Sequence, residues 1–173
     1  MPGPYIASKS KQRGPPMRTI TALFVGLGSI GTRHLKNLTN LCADRDWTLQ
    51  ADALRSDLSR PLRDGVAALL HAQYTDLADA PARYDMVFIT NPTSLHADAL
   101  QKIKGRGEAL FIEKPIFSAE QTGLDLADYL PAGQKAYVAA PMRWCGVMLA
   151  LKDRLPGLHP SCARVICSSY LPD

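Results

Sequence analysis

The chain has 173 residues, of which 46% are hydrophobic and 21% charged, the balance of an ordinary globular protein with one well-buried core. No apolar run approaches the roughly 18 residues of a membrane span, and no secretory signal pattern is present, so we expect a cytoplasmic protein with no membrane partner. The net charge of +4 equals the four basic residues among the first 18, which include no acid; the remaining 16 basic and 16 acidic side chains cancel. A neutral remainder offers no footprint for a phosphate backbone, so we expect no nucleic-acid partner.

Residues 1–17 are rich in Pro, Gly, Ser and Lys and have no apolar periodicity, so we expect a disordered tail. Beyond it, short apolar runs alternate with amphipathic stretches. The runs predict strands at 19–25, 48–54, 86–90, 109–112 and 136–140, with a weaker strand at 73–74. The amphipathic stretches predict helices at 30–41, 61–71, 94–104 and 119–129. This alternation predicts an α/β fold with a doubly wound parallel sheet of the Rossmann type over residues 18–141.

The last part of the chain predicts the beginning of a second domain. Residues 143–155 are expected to form a linking helix that ends at Pro156 and Gly157, and residues 162–169 are expected to form a strand. Because the chain ends four residues after that strand, we expect residues 142–173 to be only the start of a truncated α+β domain. The four cysteines form no Cys-x-x-Cys pair, so we expect buried, reduced thiols and no metal site: Cys42, Cys145, Cys162 and Cys167.

A Gly-x-Gly-x-x-Gly pattern follows the first predicted strand and opens the first predicted helix, which is the context that dinucleotide binding requires. Gly26 would permit the tight turn, Gly28 would let the backbone approach a pyrophosphate, and Gly31 would let the helix pack closely on the strand. The amides around Ser29 and Ile30, at the positive end of the helix dipole, would then hold the phosphates. The alternative is a glycine-rich turn with no ligand.

The second predicted strand bears on which dinucleotide is bound. Asp52 lies 21 residues after Gly31, near the spacing of an acid that holds the ribose of NAD, but it falls inside the apolar run. At the end of the run stand Arg55 and Ser56, and a planar guanidinium suits a 2′-phosphate. The sequence therefore favours NADP over NAD as the cofactor. The alternative is that Arg55 is a solvated loop residue.

Asn91 and Pro92 follow the predicted strand at 86–90, at the edge of the sheet where open α/β folds bind ligands. Pro92 would end the ladder, and Thr93 or Ser94 would cap the next helix. His96 is then expected in the first helical turn, facing the crevice, where it would contact the nicotinamide end of the cofactor or the substrate. The alternative is a solvated histidine on the helix surface.

Three motifs in order, GLGSIGTRH at 26–34, DMVFITNPTSLH at 85–96 and FIEKP at 111–115, closely resemble the Gfo/Idh/MocA family of oxidoreductases. The resemblance covers residues 19–173. It implies NAD(P)-dependent hydride transfer at a hydroxyl or carbonyl carbon of a small sugar, sugar nucleotide or cyclitol. It also implies a second domain whose sheet covers the nicotinamide and forms a homo-oligomer contact.

The same resemblance assigns roles to Glu113 and Lys114. Lys114 matches the family's lysine near the nicotinamide ribose and the substrate hydroxyl, where it assists proton movement, and the peptide bond before Pro115 is commonly cis. The resemblance places Glu113 beside the cofactor as well, and the alternative is an ordinary surface ion pair between Glu113 and Lys114. The family's second catalytic motif, an Asp and a His on one helix, is expected beyond residue 173.

Two other functions stay open on these observations. One is a cofactor-binding module without turnover, serving as a sensor or a subunit. The other keeps the fold but uses NAD transiently to cleave glycosides, and it would retain its cofactor tightly.

Overall fold

The computed structural model describes residues 18–159, 161, 162 and 164. These residues form six strands and three α-helices in the order β1 Thr19–Val25, α1 Ser29–Asp44, β2 Thr48–Leu54, β3 Ala72–Tyr74, β4 Tyr84–Ile89, α2 His96–Lys102, β5 Gly107–Ile112, β6 Lys135–Val138 and α3 Gly146–Arg154. All strand pairs are parallel, and the order across the sheet is β3-β2-β1-β4-β5-β6. This is the classic Rossmann order, and the predicted fold class is confirmed.

The central strand β1 pairs with β2 along its whole length and with β4 along its second half. Val25 therefore lies beside Leu54 on one side and beside Ile89 on the other. The strand order reverses between β1 and β4, so the loops that follow these two strands diverge to opposite faces of the sheet. Such a switch point at the carboxyl ends of the strands is where open α/β sheets bind ligands.

Alternation along β1 divides the core between the two faces of the sheet. Ile20, Ala22 and Phe24 belong to one buried cluster, which includes Leu35 and Leu38 of α1. Leu23 and Val25 of β1 belong to the other cluster, which includes Leu100 of α2 and the neighbouring Ile103. The first two helices thus cover opposite faces, and both begin at the ligand-binding edge of the sheet.

Two predicted helices are wrong. Residues 61–71 and 119–129 contain only short 3₁₀ turns, Ala67–Leu69 and Leu126–Tyr129. In the first case Gly65 takes a φ of +74°, which no α-helical residue adopts, so the amphipathic pattern is interrupted before it propagates. In the second case the Asp125 carboxylate accepts a hydrogen bond from the amide of Ala127 and fixes a turn in place of a longer helix.

The remaining differences concern element ends. The helix predicted at 94–104 is a 3₁₀ turn, Thr93–Leu95, followed by α2. Neither Thr93 nor Ser94 caps α2. The residue before α2 is Leu95, which makes no side-chain hydrogen bond to the helix. Strands β4 and β5 each begin two residues before the predicted start, and α1 continues to Asp44. Strands β1 and β2 have the predicted bounds.

Contacts divide the chain after Ala139 into two units. The second contains a 3₁₀ turn, Pro141–Trp144, and α3, which begins three residues after the predicted helix start. The predicted tail at 1–17 and nearly all of the predicted strand at 162–169 lie outside the described residues.

The cysteine prediction is wrong in part. Cys42 is buried, and burial raises the pKa of its thiol, but Cys145 is half-buried and Cys162 exposed. These three thiols are free. Within the described ranges, no cluster of His, Cys, Asp and Glu could hold a metal ion, and none of the helices is long and apolar enough to cross a membrane.

Candidate functional site

Gly26 lies in the turn after β1, next to the end of β2 and to the loop after β4. Its φ of +85° lies in the left-handed region, and its amide donates a hydrogen bond to the carbonyl of Leu54, 2.9 Å away. A Cβ at this position would lie 2.7 Å from the Cα of Asn91. Only glycine satisfies both the backbone conformation and the close approach of the loop after β4.

Gly31 brings α1 against the same turn. A Cβ on Gly31 would lie 2.6 Å from the carbonyl oxygen of Gly26 and 2.7 Å from Oγ1 of Thr90. The Thr90 hydroxyl donates a hydrogen bond to that carbonyl at 2.6 Å. The close packing expected of the third glycine is therefore present, and Thr90 locks the turn from the side of β4.

Gly28 differs from its two neighbours because a Cβ there would meet no atom of the chain within 4 Å. It precedes α1, whose first turn has no side-chain cap. The amides of a first helical turn have no partner inside the helix, so they stand available to an anion. Residues 26–30 line one side of a cavity of about 540 Å³, which we term the glycine-loop cavity.

The opposite side of the glycine-loop cavity is formed by residues after β2 and β4, including Arg55, Ser56, Asn91 and Pro92. The Asn91 side-chain oxygen is buried and has no hydrogen-bond partner within the described part of the chain. The free amides at the start of α1 fit a ligand that carries phosphates. The chain thus brings together at this cavity Gly26, Gly28, Ser29, Ile30, Arg55, Ser56, Asn91 and Pro92.

A second cavity of about 240 Å³, the α2 cavity, meets the first at Gly26, Arg55 and Asn91. Its walls are largely apolar and come from β2, α2 and the loops after β3 and β4: Leu54, Leu77, Leu95, Ala99 and Ile103. No motif in the sequence indicates this cavity. It has the apolar character that a purine ring requires, next to the space that would hold the phosphates.

Asp52 is a buried structural residue, as its position inside the apolar run suggests. It is 3% exposed. Its carboxylate accepts a hydrogen bond from the hydroxyl of Tyr84 at 2.8 Å and lies 3.1 Å from Nδ1 of His71. It is absent from the lining of the glycine-loop cavity, so a ribose there would not reach it.

We predict that Tyr84→Phe destabilises the protein by about 1–3 kcal/mol, because the buried carboxylate of Asp52 loses its donor. Burial and the Asp52 hydrogen bond raise the pKa of Tyr84 above its usual value of 10.0. The hydrogen bond from Tyr84 to Asp52 therefore contributes fully to the free energy of unfolding below about pH 10, and this contribution is lost as the pH rises further. Urea unfolding between pH 7 and 11 should show a steeper alkaline loss for the wild type than for Tyr84→Phe. Equal stabilities for Tyr84→Phe and the control Tyr129→Phe would contradict this role.

Arg55 is held in place at the end of β2. Its guanidinium donates a hydrogen bond to Oε1 of Gln73 at 2.8 Å and another to the backbone carbonyl of Arg60. A half-buried guanidinium with two fixed donors and further N–H groups facing the cavity is not a freely solvated side chain. Ser56, beside it, is exposed.

Two further charged residues of the glycine-loop cavity were missed, Asp57 and Arg60. Asp57 Oδ1 accepts hydrogen bonds from the amide and hydroxyl of Ser59 at 2.8 and 2.7 Å. These bonds lower the pKa of the Asp57 carboxyl, so it is charged at neutral pH. The sequence feature that could have identified this turn is Asp57 two residues before Ser59, a pattern typical of an Asx turn.

The expected orientation of His96 toward the crevice is wrong. The side chain is 1% exposed, with Nδ1 3.0 Å from the carbonyl oxygen of Ile116 and Nε2 2.9 Å from that of Asn91. Both ring nitrogens thus contact backbone oxygens, and neither is left to contact a ligand. His96 instead ties the loop after β4 to the segment after β5.

Glu113 and Lys114 follow β5, and the alternative of an ordinary ion pair between the two is not found: the carboxylate of Glu113 pairs with His34. Glu113 is 9% exposed, and its Oε1 lies 2.6 Å from Nε2 of His34. Lys114 is exposed. The Lys114–Pro115 peptide bond is cis, as the resemblance implies. Gly31, His96, Glu113 and Lys114 do not line the glycine-loop cavity.

Comparisons with known proteins agree with this geometry. The Gfo/Idh/MocA model, described as an oxidoreductase family with an NAD-binding Rossmann fold, matches residues 20–138. A scyllo-inositol 2-dehydrogenase (NAD(+)) of Bacillus subtilis is 31% identical over 93 residues, which are 53% of this chain and 27% of that protein. An inositol 2-dehydrogenase/D-chiro-inositol 3-dehydrogenase of Lactiplantibacillus plantarum is 29% identical over 105 residues, 60% of this chain and 30% of that protein.

Solved structures show the same fold. The WlbA dehydrogenase of Chromobacterium violaceum, in complex with NADH and UDP-GlcNAcA, is similar with a TM-score of 0.65 and 24% identity over 83% of this chain. A scyllo-inositol dehydrogenase of Lactobacillus casei, with bound NAD(H) and scyllo-inositol, has a TM-score of 0.59 and 24% identity over 80% of this chain. Each match covers 42% of the solved chain, so this chain spans less than half the length of these relatives.

The family match extends from β1 to the end of β6, the whole of the six-stranded sheet. It includes the glycine turn, the Asn-Pro segment after β4 and the Glu-Lys-Pro segment after β5. The chain therefore belongs to the Gfo/Idh/MocA family of oxidoreductases, and its six-stranded sheet is the family's NAD-binding Rossmann fold.

Proposed function

We propose that this chain is the cofactor-binding domain of an NAD(P)-dependent oxidoreductase that acts at a hydroxyl or carbonyl carbon of a sugar-like substrate. The observation that carries the proposal is the glycine turn, where Gly26 and Gly31 are closed by neighbouring backbone while Gly28 opens onto a cavity. That contrast leaves room for a pyrophosphate at the one glycine where the backbone must approach it.

Each part of the site would then have one task. The amides of residues 28–31 would hold the pyrophosphate at the positive end of the α1 dipole. The apolar α2 cavity would take the adenine, and Asn91, which lines both cavities, would contact the ligand between them. When bound, the nicotinamide ring accepts or donates a hydride.

Lys114 is the proposed catalytic residue. It follows β5 at the carboxyl edge of the sheet and is exposed, so its ammonium is available to a substrate hydroxyl. In the oxidising direction the hydroxyl proton must leave as the carbon loses hydride; Lys114 would accept that proton as a neutral amine, or, as an ammonium, would donate a hydrogen bond to the oxygen that loses it. The substrate class rests on relatives whose names state inositol dehydrogenation.

Arg55 supports a preference for NADP over NAD. Arg55 and Arg60 both line the glycine-loop cavity after β2, where the adenosine ribose of a bound dinucleotide lies in this fold. Asp57 adds one carboxylate, but its Oδ1 is engaged by Ser59. The other oxygen of Asp57, Oδ2, lies 3.5 Å from Nε of Arg60, so these two charges offset each other. The guanidinium of Arg55 then remains to favour a ribose that bears a 2′-phosphate.

We predict that calorimetric titration will give tighter binding of NADPH than of NADH, and that Arg55→Asp will reverse this order. Loss of one guanidinium–phosphate contact should weaken NADPH binding by about tenfold or more, since such bonds contribute about 1.5–3 kcal/mol. Arg83→Asp is the matched control, because it makes the same change of charge in a residue that lines neither cavity. Equal affinities for the two cofactors that Arg55→Asp leaves unaltered would refute the preference. No binding of either cofactor would refute the proposed function itself.

A further inference from the structure

His34 lies on α1 and turns toward the sheet, where its ring packs on Phe111 with 4.7 Å between ring centroids. Its side chain is 18% exposed, and Nε2 lies 2.6 Å from Oε1 of Glu113. A carboxylate oxygen only accepts hydrogen bonds, so the protonated Nε2 of His34 is the donor. The contact joins residues 79 positions apart in the sequence.

The second oxygen of the same carboxylate points to the next residue. Oε2 of Glu113 accepts a hydrogen bond from the backbone amide of Lys114 at 3.2 Å. The backbone of Glu113 is fixed as well, because its amide donates to the carbonyl of Ile89 at 3.0 Å. The carboxylate therefore connects α1 to the backbone from which the Lys114 side chain projects.

The carboxylate of Glu113 pairs with His34 and not with the ammonium of the adjacent Lys114. Glu113 has an 11% exposed side chain, and a buried carboxylate strongly favours a cationic or donor partner. The adjacent residue, Lys114, carries such a cation on a flexible stem. Among the described residues, however, the salt-bridge partner of Glu113 is His34, and Lys114 extends into solvent.

We propose that His34 is a positioning residue that occupies the Glu113 carboxylate and thereby keeps the Lys114 ammonium free to face a ligand. Without the His34 donor, the adjacent residue Lys114 carries a cation on a flexible stem that would fold back onto Glu113. The proposal rests on the proposed function of Lys114, and it assigns to α1 a part in the catalytic half of the site as well as in the phosphate half.

The test follows the Lys114 side chain directly. All lysines of the full chain are converted to ¹³C-dimethyl-lysine, and the Lys114 signal is assigned by its absence in Lys114→Arg. The signal is then recorded with and without NADPH in the wild type, in His34→Phe and in His34→Gln. Phenylalanine keeps the packing on Phe111 but lacks the donor, whereas glutamine keeps a donor for Glu113.

We expect the NADPH-induced shift of the Lys114 signal to fall by at least about threefold in His34→Phe and to persist in His34→Gln. Adding Glu113→Gln to His34→Phe should restore the shift, because a neutral amide no longer attracts the ammonium. If His34 had only a structural role, the NADPH-induced shift of the Lys114 signal would be smaller in the double variant than in either single variant.

Other outcomes separate the two proposals. A wild-type response that His34→Phe leaves intact overturns the positioning role and keeps the function. A response lost in His34→Phe and not restored by Glu113→Gln also overturns it. A wild-type Lys114 signal that does not respond at NADPH concentrations that saturate binding refutes the proposed role of Lys114 and, with it, this inference.

Discussion

Gly28→Ala is expected to weaken NADPH binding by about 100-fold or more while the Tm of the ligand-free protein changes by less than about 2 °C. A Cβ at this position meets no atom of the chain within 4 Å, and the backbone there is extended, so alanine fits the free protein. In a complex, the same methyl group would stand where the pyrophosphate has to approach the first turn of α1. Calorimetry with NADPH and thermal unfolding of the free protein measure the two effects separately.

Gly26→Ala provides the contrast. Its Cβ would lie 2.7 Å from the Cα of Asn91 and its φ is +85°, so we expect a loss of about 2–4 kcal/mol in the free energy of unfolding together with the loss of binding. If Gly28→Ala bound NADPH and NADH as tightly as the wild type, the turn would be a structural glycine loop with no ligand. That result would also remove the main support for the proposed function.

The fold could be predicted from the sequence because β1, β2 and β4 each contain a run of consecutive buried residues, so both of their faces are covered. The apolar runs of β1 and β2 stop where the strands stop, since burial and strand length coincide in a covered parallel sheet. The helices that connect the strands were predicted less accurately. Apolar periodicity at 61–71 fits a helix, but a single left-handed residue, Gly65, ends it before a nucleus forms.

The geometry of the glycine turn could also be predicted, because the conformations and close contacts of Gly26, Gly28 and Gly31 depend on local backbone structure. The surroundings of Glu113 depend on partners distant in the sequence. No residue close to Glu113 in the sequence indicates that its carboxylate pairs with His34. Likewise, no residue close to Leu54 in the sequence indicates an apolar cavity completed by α2. Such pairings arise only when the parallel strands bring separate loops to one edge of the sheet.

His96→Ala is expected to lower the free energy of unfolding by about 2–4 kcal/mol, or the Tm by about 6–12 °C. The substitution empties a buried site and removes the ring whose nitrogens lie 2.9 and 3.0 Å from the carbonyl oxygens of Asn91 and Ile116, so the carbonyl that accepts the ring N–H loses its donor. His96→Phe separates the two causes, because it fills the space but donates to neither carbonyl. Ser94→Ala is the control, since Ser94 is an exposed residue of the preceding 3₁₀ turn.

The same variants decide between two roles of this histidine. If His96 joins the loops after β4 and β5, His96→Phe should still lose about 1–3 kcal/mol of stability, and its NADPH affinity should fall only because the position of Asn91 becomes less defined. If His96 instead contacts the ligand, as its place in the sequence suggests, His96→Ala should keep its Tm and lose affinity. The structure favours the first result, because a ring with 1% exposure and carbonyl oxygens at both nitrogens has no free edge with which to bind nicotinamide or substrate.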